Sequence, residues 1–247
     1  VGGSNVSLGY FSLTADTKGS KSVAVGTAAL GDQNFTSATD AFNVAIGQEA
    51  GRSVTTGTLN TLIGGLAGDA TTTGTGNTAI GQEAFGVNTT GSDNVAIGRD
   101  ALDANTTASN NTAVGKSSLG GNTTGASNVA VGRSALLSNT TASNNTAVGY
   151  QAGYTNTTGV NNLSLGYQAG YTNATSNYNT AVGTQSLANN TGSNNVALGQ
   201  SALFSNTTAS NNTAVGYQAM TANTTGTESV GIGNRALASQ TTGRNTA

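Results

Sequence analysis

The sequence predicts an all-β protein, a β-solenoid of about fourteen 17-residue coils. Three observations predict it. Glycine recurs at a fixed interval, at Gly9, Gly26, Gly47, Gly64, Gly81, Gly98, Gly115, Gly132, Gly149, Gly166, Gly183, Gly199, Gly216 and Gly233. Each glycine closes a short strand-like motif, Asn-(Val/Thr)-Ala-(Val/Ile/Leu)-Gly. The step is 17 residues throughout, apart from one of 21 (Gly26 to Gly47) and one of 16 (Gly183 to Gly199). A period so short and strict means one unit stacked many times.

Within each unit the first segment alternates like a strand with one buried face. On that pattern Val129 and Val131 face inward and Ala130 outward. β-branched residues suit a pleated surface. The second segment, such as Arg133-Ser134-Ala135-Leu136-Leu137, reads as another short strand. Asn-Thr-Thr-Gly is turn chemistry, because Gly and Asn accept positive φ and Asn bonds its own backbone. The irregular steps agree. The short one falls at Asn189-Asn190-Thr191-Gly192, and the long one carries its extra residues around Thr36 to Phe42. Both lie in predicted turns, where a length change does not invert a buried face. A helical repeat fails, since every unit would hold several Gly, Asn and β-branched residues in its interior. With coils about 4.8 Å apart, such a stack forms a rod on the order of 65 Å long.

A second period lies over the first. From Val95 the expected inward position alternates through Thr112, Val129, Thr146, Leu163, Thr180, Val196, Thr213, Val230 and Thr246, as duplication of a 34-residue pair would produce. Two asparagine columns also follow the period. One is Asn94, Asn111, Asn128, Asn145, Asn162 and Asn179; the other is Asn88, Asn105, Asn122, Asn139, Asn156 and Asn173. Stacked identical amides hydrogen-bond along the axis of repeated strands.

Residues 1–247 read as a single array, and the chain opens inside a repeat and stops at Asn245-Thr246-Ala247, as a segment of a longer fibre would. With no cysteine, proline, histidine or tryptophan, the array must hold itself by stacking. Eight basic against ten acidic residues make neither nucleic acid nor an anionic membrane an expected partner. No apolar run approaches a membrane span, so membrane insertion by this segment is not expected. Each coil offers about three buriable apolar side chains, at ~1.5–3 kcal/mol each, a sum that counts only when neighbouring coils cover both faces.

The motifs Asn94-Val95-Ala96-Ile97-Gly98, Asn128-Val129-Ala130-Val131-Gly132 and Asn43-Val44-Ala45-Ile46-Gly47 resemble the head repeats of YadA-like trimeric autotransporter adhesins. The longer form, Asn145-Thr146-Ala147-Val148-Gly149-Tyr150-Gln151-Ala152-Gly153, is similar to repeats of bacteriophage tail-fibre proteins. The resemblance covers essentially the whole chain. It implies a left-handed parallel β-roll, three chains side by side as a homotrimer, and attachment to surfaces outside the cell or on a virion. The unit here is longer than the family's usual head repeat, and no neck, heptad stalk or membrane anchor is visible. From the residues themselves, trimer contact is expected on the outward alanine column: Ala45, Ala79, Ala96, Ala113, Ala130, Ala147, Ala181, Ala197 and Ala214. Small residues permit close approach of another sheet, whereas exposed strands usually carry polar side chains.

Catalysis has little raw material. Without His or Cys the usual bases, thiol nucleophiles and most transition-metal sites are missing, and neither enzyme activity nor a cofactor is expected. The carboxylates Glu49, Glu83, Asp100, Asp103 and Glu228 look scattered, and solvated turn charges explain them better than a glycosidase pair. Gly64-Gly65-Leu66-Ala67-Gly68 lacks the Lys-Ser/Thr of a phosphate loop, and no regular Asp supports calcium repeats. Two surface columns are candidate sites. Arg99, Lys116 and Arg133 form a basic ladder for a polyanion, or simply a solvated face beside Asp93, Asp100 and Asp103. Tyr150 and Tyr167, with Tyr217 further on, could stack on sugar rings of a surface glycan or receptor. Tyr154 and Tyr171 belong to the same platform, or fill the space of the leucine that an inserted glycine displaces. The sequons at Asn88, Asn105, Asn122, Asn139, Asn156, Asn206 and Asn223 follow from the turn repeat. Threonine ladders raise ice binding as an alternative to attachment or a plain filament. Adjacent threonines such as Thr123-Thr124, however, should alternate to opposite faces.

Overall fold

The computed structural model describes residues 2–247. It is all-β, a parallel β-solenoid with repeats of about 17 residues and no helix among the described residues. The chain divides into two compact units whose boundary falls between Ala126 and Ser127.

In the first unit seven three-residue strands stack: β1 (Val6–Leu8), β3 (Val23–Val25), β5 (Val44–Ile46), β6 (Thr61–Ile63), β7 (Thr78–Ile80), β8 (Val95–Ile97) and β9 (Thr112–Val114). Pairing is parallel and unshifted, as in Thr78↔Val95, Ala79↔Ala96 and Ile80↔Ile97. Two shorter strands, β2 (Gly19–Ser20) and β4 (Thr39–Asp40), make a separate parallel pair. Because β2 belongs to a coil of ordinary length, the added residues of the 21-residue step fall beside β4 and not within it.

The second unit stacks β10 (Val129–Val131), β11 (Thr146–Val148), β12 (Leu163–Leu165), β13 (Thr180–Val182), β14 (Val196–Leu198), β15 (Thr213–Val215) and β16 (Val230–Ile232). Across the 16-residue step β13 and β14 still pair in register, Thr180↔Val196 and Ala181↔Ala197, because the missing residue comes out of the turn.

The recurring glycine sits where backbones approach most closely. At Gly98 φ is 129°, and a Cβ there would stand 2.7 Å from the backbone of Gly115 on the next coil. Only glycine satisfies both conditions.

Two expectations about the coil are corrected. The strand faces are inverted. Ala79, Ala96, Ala113, Ala130, Ala147, Ala181, Ala197 and Ala214 are all buried at 0–1% exposure, as are Ala24 and Ala45, so the alanine column is core and offers no subunit contact. The flanking Val, Thr, Ile and Leu side chains, including the alternating column from Val95 to Val230, face outward and are half-buried or exposed. The reason is the narrowness of the coil. Ala96 shares the interior with Ala101 and Leu102 from the opposite wall, which leaves room for a methyl group only. β6 tests this directly. Its inward residue is Leu62, and the two facing leucine positions have become Gly51 and Gly68, where a Cβ would lie 2.5 and 2.7 Å from Leu62 methyls. In the second unit Met220 fills its layer opposite Gly231 in the same way, 2.7 Å from the position of a Cβ.

The second segment is not a strand. Arg133 to Leu137 forms consecutive turns, with Ser134 at φ 57° and Leu136 at φ 49°. The same pair of left-handed residues recurs at Asp100 and Leu102, and at Ser201 and Leu203. Each such excursion costs a non-glycine residue about 1–2 kcal/mol, recovered here by burying the leucine.

Both asparagine columns are buried ladders. In the strand-entry column, Asn77, Asn94 and Asn111 each donate a backbone N–H to the preceding asparagine's Oδ1 at 3.0 Å. Asn77 Nδ2 then closes its own coil by donating to Gly91 O at 2.9 Å. In the turn column the amides bond each other. Asn105 Nδ2 donates to Asn88 Oδ1 at 3.0 Å and Asn122 Nδ2 to Asn105 Oδ1 at 3.2 Å; in the second unit Asn223 does the same to Asn206 at 2.9 Å. These amides satisfy backbone groups that a three-residue strand cannot reach.

Candidate functional site

With leucine, alanine and asparagine turned inward, the side chains available for function are the outward strand positions, the residues just after the glycine, and the turn threonines.

The second unit holds the richest surface cluster. Tyr150 and Tyr167 lie one coil apart with ring centroids at 5.5 Å and planes 13° from parallel. Tyr154 and Tyr171 stack likewise, at 5.1 Å and 6°. Between them in sequence, Gln168 Nε2 donates to Gln151 Oε1 at 2.9 Å, and Gln185 continues the row at 3.4 Å. The Arg133 guanidinium lies over the other face of Tyr150, 5.8 Å from its centroid, a cation–π arrangement. Register alone produces these stacks, since equal residues one coil apart must sit side by side.

The geometry changes what the tyrosines can do. Each stacked ring spends one face on its partner, and Tyr150 meets Arg133 as well, so it presents its edge and hydroxyl outward. Tyr154 and Tyr171 do not replace the core leucine. They remain half-buried and stacked, while Leu136 of the preceding coil leans over Gly153, 2.9 Å from where a Cβ would be. Tyr217 is exposed in the same column, and its neighbour Gln218 accepts from Arg235 Nε at 3.0 Å.

The basic column divides between the units. In the first, Arg99 is exposed and pairs with Asp100, Nε to Oδ2 at 3.5 Å, and Lys116 is exposed one coil on. Arg133 belongs to the second unit and is engaged with Tyr150.

The carboxylates prove less scattered than their spacing suggests. In the first unit burial pushes the Asp103 carboxyl above the ordinary aspartate range, and the charges of Asp100 and Glu83 add to the rise. Burial also raises Asp69, with a contribution from Glu49. Asp69 was not a sequence candidate. The signal was its 34-residue spacing from Asp103 with Gly86 between, for the Asp103 carboxylate lies over that glycine, 2.8 Å from the site of a Cβ. No group of three or more His, Cys, Asp or Glu among the described residues could hold a metal ion. No helix among them is long and apolar enough to cross a membrane.

The turn sequons lie inside. Asn88, Asn105, Asn122, Asn139, Asn156, Asn206 and Asn223 are at most 2% exposed, so the folded coil hides the amides that a glycan would need.

No family model, curated protein or solved structure matches the chain.

Proposed function

We propose that this chain is a structural and adhesive segment of an extracellular or virion fibre, non-enzymatic, working as a homo-oligomer, with a trimer the preferred state. The observation that carries this reading is the outer face of the strands. Ile46, Ile80 and Ile97 in the first unit are 36–40% exposed, and Leu165, Leu198 and Ile232 in the second are 38–61% exposed. Each unit thus turns a row of large apolar side chains outward, coil after coil. Such rows favour contact with other protein, and a second copy carries the same row at the same spacing. The oligomer contact moves accordingly from the alanine column to this face. Projected from a base, the fibre presents repeated weak contacts that gain by multivalency.

Sedimentation equilibrium tests the reading. The wild-type chain is expected to behave as a trimer, and Ile80→Lys with Ile97→Lys to shift it toward monomer; a stable wild-type monomer sinks the oligomer. For attachment, glycan-array binding should fall with Tyr150→Ala plus Tyr167→Ala. A purely structural filament is the second reading, favoured by the ring faces of Tyr150 being already occupied by Arg133 and Tyr167. End-to-end assembly without any glycan ligand would select it.

A further inference from the structure

The threonine turns carry an arrangement that adjacency in sequence conceals. In Asn88-Thr89-Thr90-Gly91-Ser92 the first threonine is half-buried, and its hydroxyl donates to Thr106 O on the next coil at 3.1 Å. Thr90 is exposed, Gly91 is buried and Ser92 is half-buried, with its Oγ engaged along the stack. The outward pair is therefore Thr90 with Ser92, not Thr89 with Thr90. The next coil repeats it as Thr107-Ala108-Ser109. The second unit carries Thr208-Ala209-Ser210 and Thr225-Gly226-Thr227, with the middle residue buried each time. Val160 and Asn177 interrupt the serine file in that unit. Thr158 and Thr175 continue the exposed threonine file as far as the 16-residue step, where Thr191 alone stands between Asn190 and Gly192 and its hydroxyl donates to Thr207 O at 2.8 Å.

The serine side chains are held, not loose. Ser109 Oγ accepts the Ser92 backbone N–H at 3.0 Å, and Ser92 Oγ accepts that of Thr75 at 3.0 Å. Ser210 Oγ holds Ser193 in the same way at 3.0 Å. Each hydroxyl thus repeats with the coil, about 4.8 Å from its neighbour, and the two outward files stand roughly 6–7 Å apart. No charged or aromatic residue lies within these triplets.

We propose that the threonine–serine face of each unit binds ice. Methyl and hydroxyl groups fixed on a two-dimensional repeat order water around the methyls and anchor it at the hydroxyls. A single small solute gains little from such a face, since each contact is weak. Only a ligand that itself repeats can engage many coils at once, where the contacts sum as in any multivalent system. A polysaccharide would call for aromatic platforms or charge; the triplets themselves carry none, and the exposed Asp93, Tyr178 and Glu228 stand one position beyond them. The inference is independent of the attachment reading, because it uses a different face.

The test is partition into a slowly growing ice crystal, together with freezing-point hysteresis, on the intact chain. The wild-type protein is expected to enter the ice and shape its crystals. Thr90→Lys with Thr208→Lys places charge on two exposed positions and should cut uptake roughly tenfold, with the circular dichroism spectrum and melting temperature unchanged. Tyr150→Ala plus Tyr167→Ala should leave ice uptake as it was. Exclusion of the wild-type chain from ice would overturn the proposal, as would equal uptake by the folded lysine variant.

Discussion

Leu62 occupies the space that Gly68 leaves vacant six residues later in the chain, one methyl lying 2.7 Å from where a Gly68 Cβ would stand. Here the large residue stands on the strand; at Ala96 with Leu102 it stands on the opposite wall, and at Ser164 with Gly170 on neither.

The pair should therefore be energetically coupled. Leu62→Ala alone opens a cavity and is expected to cost about 2–5 kcal/mol. Gly68→Leu alone overfills the layer and should cost about 1–3 kcal/mol, although a left-handed leucine is tolerated at the matching Leu102, φ 50°. Together they restore the arrangement of Ala96 with Leu102, so the double variant should be more stable than the single costs imply. Denaturant unfolding of the four proteins measures the coupling, and strict additivity would refute it.

The turn ladder should be sensitive to loss of a single amide. Asn105 donates to both Asn88 Oδ1 and Ala108 O and accepts from Asn122. Asn105→Ala orphans those buried groups and should cost about 1–3 kcal/mol in chemical denaturation. Asn105→Asp should be worse at neutral pH than at acid pH, because a buried carboxylate there faces two acceptor oxygens.

At one site the ladder is already broken. The Ser176 hydroxyl bonds Asn173 Oδ1, Asn173 Nδ2 reaches only Ser176 O at 3.3 Å, and Asn156 Oδ1 is left buried without a partner. Matching coils carry glycine or alanine where Ser176 stands, as at Gly159 and Ala209. Ser176→Ala should free Asn173 to donate to Asn156 and raise stability by up to about 1 kcal/mol. A lower melting temperature for this variant would count against the mechanism.

Asp69 and Asp103 make the first unit respond to pH. Both carboxyls titrate above their unfolded value of 3.8, chiefly through burial, so the folded state holds protons more tightly than the unfolded chain. Their ionised forms therefore oppose folding at neutral pH. That penalty is relieved as pH falls through the raised values and is gone below 3.8. Asp103→Asn should raise the melting temperature at pH 7 and make little difference near pH 3. An equal gain at both pH values would show that charge is not the cause.

The period and the turns could be read directly from the sequence. Gly98 marks both a positive φ and a close backbone approach, and the deletion beside Gly192 falls in the turn that tolerates it. The direction of the strand faces could not be read this way. Val129-Ala130-Val131 alternates equally well with either face inward, and the usual preference for burying the larger residue pointed the wrong way. What decides is the width of the coil, visible only through the joint change at Leu62, Gly51 and Gly68. The turns from Arg133 to Leu137 were hidden because left-handed Ser134 and Leu136 are conformations that sequence rules assign to glycine. The tyrosine stacks followed from register, whereas the use of their faces needed the position of Arg133. The Thr90–Ser92 pairing needed the buried Gly91 between them.

The amide ladder also has an arrow. In the first unit Asn122 gives to Asn105 and Asn105 to Asn88; in the second, Asn223 gives to Asn206 and Asn206 to Asn190, always toward the lower-numbered coil. The threonine hydroxyls run the opposite way, Thr72 giving to Thr89 and Thr207 to Thr224. Each stack is thus threaded by two antiparallel rows of dipoles, and its two ends are chemically unlike. A coil laid on upside down would set donor against donor in one row and acceptor against acceptor in the other. The repeat admits growth in a single sense only, head to tail.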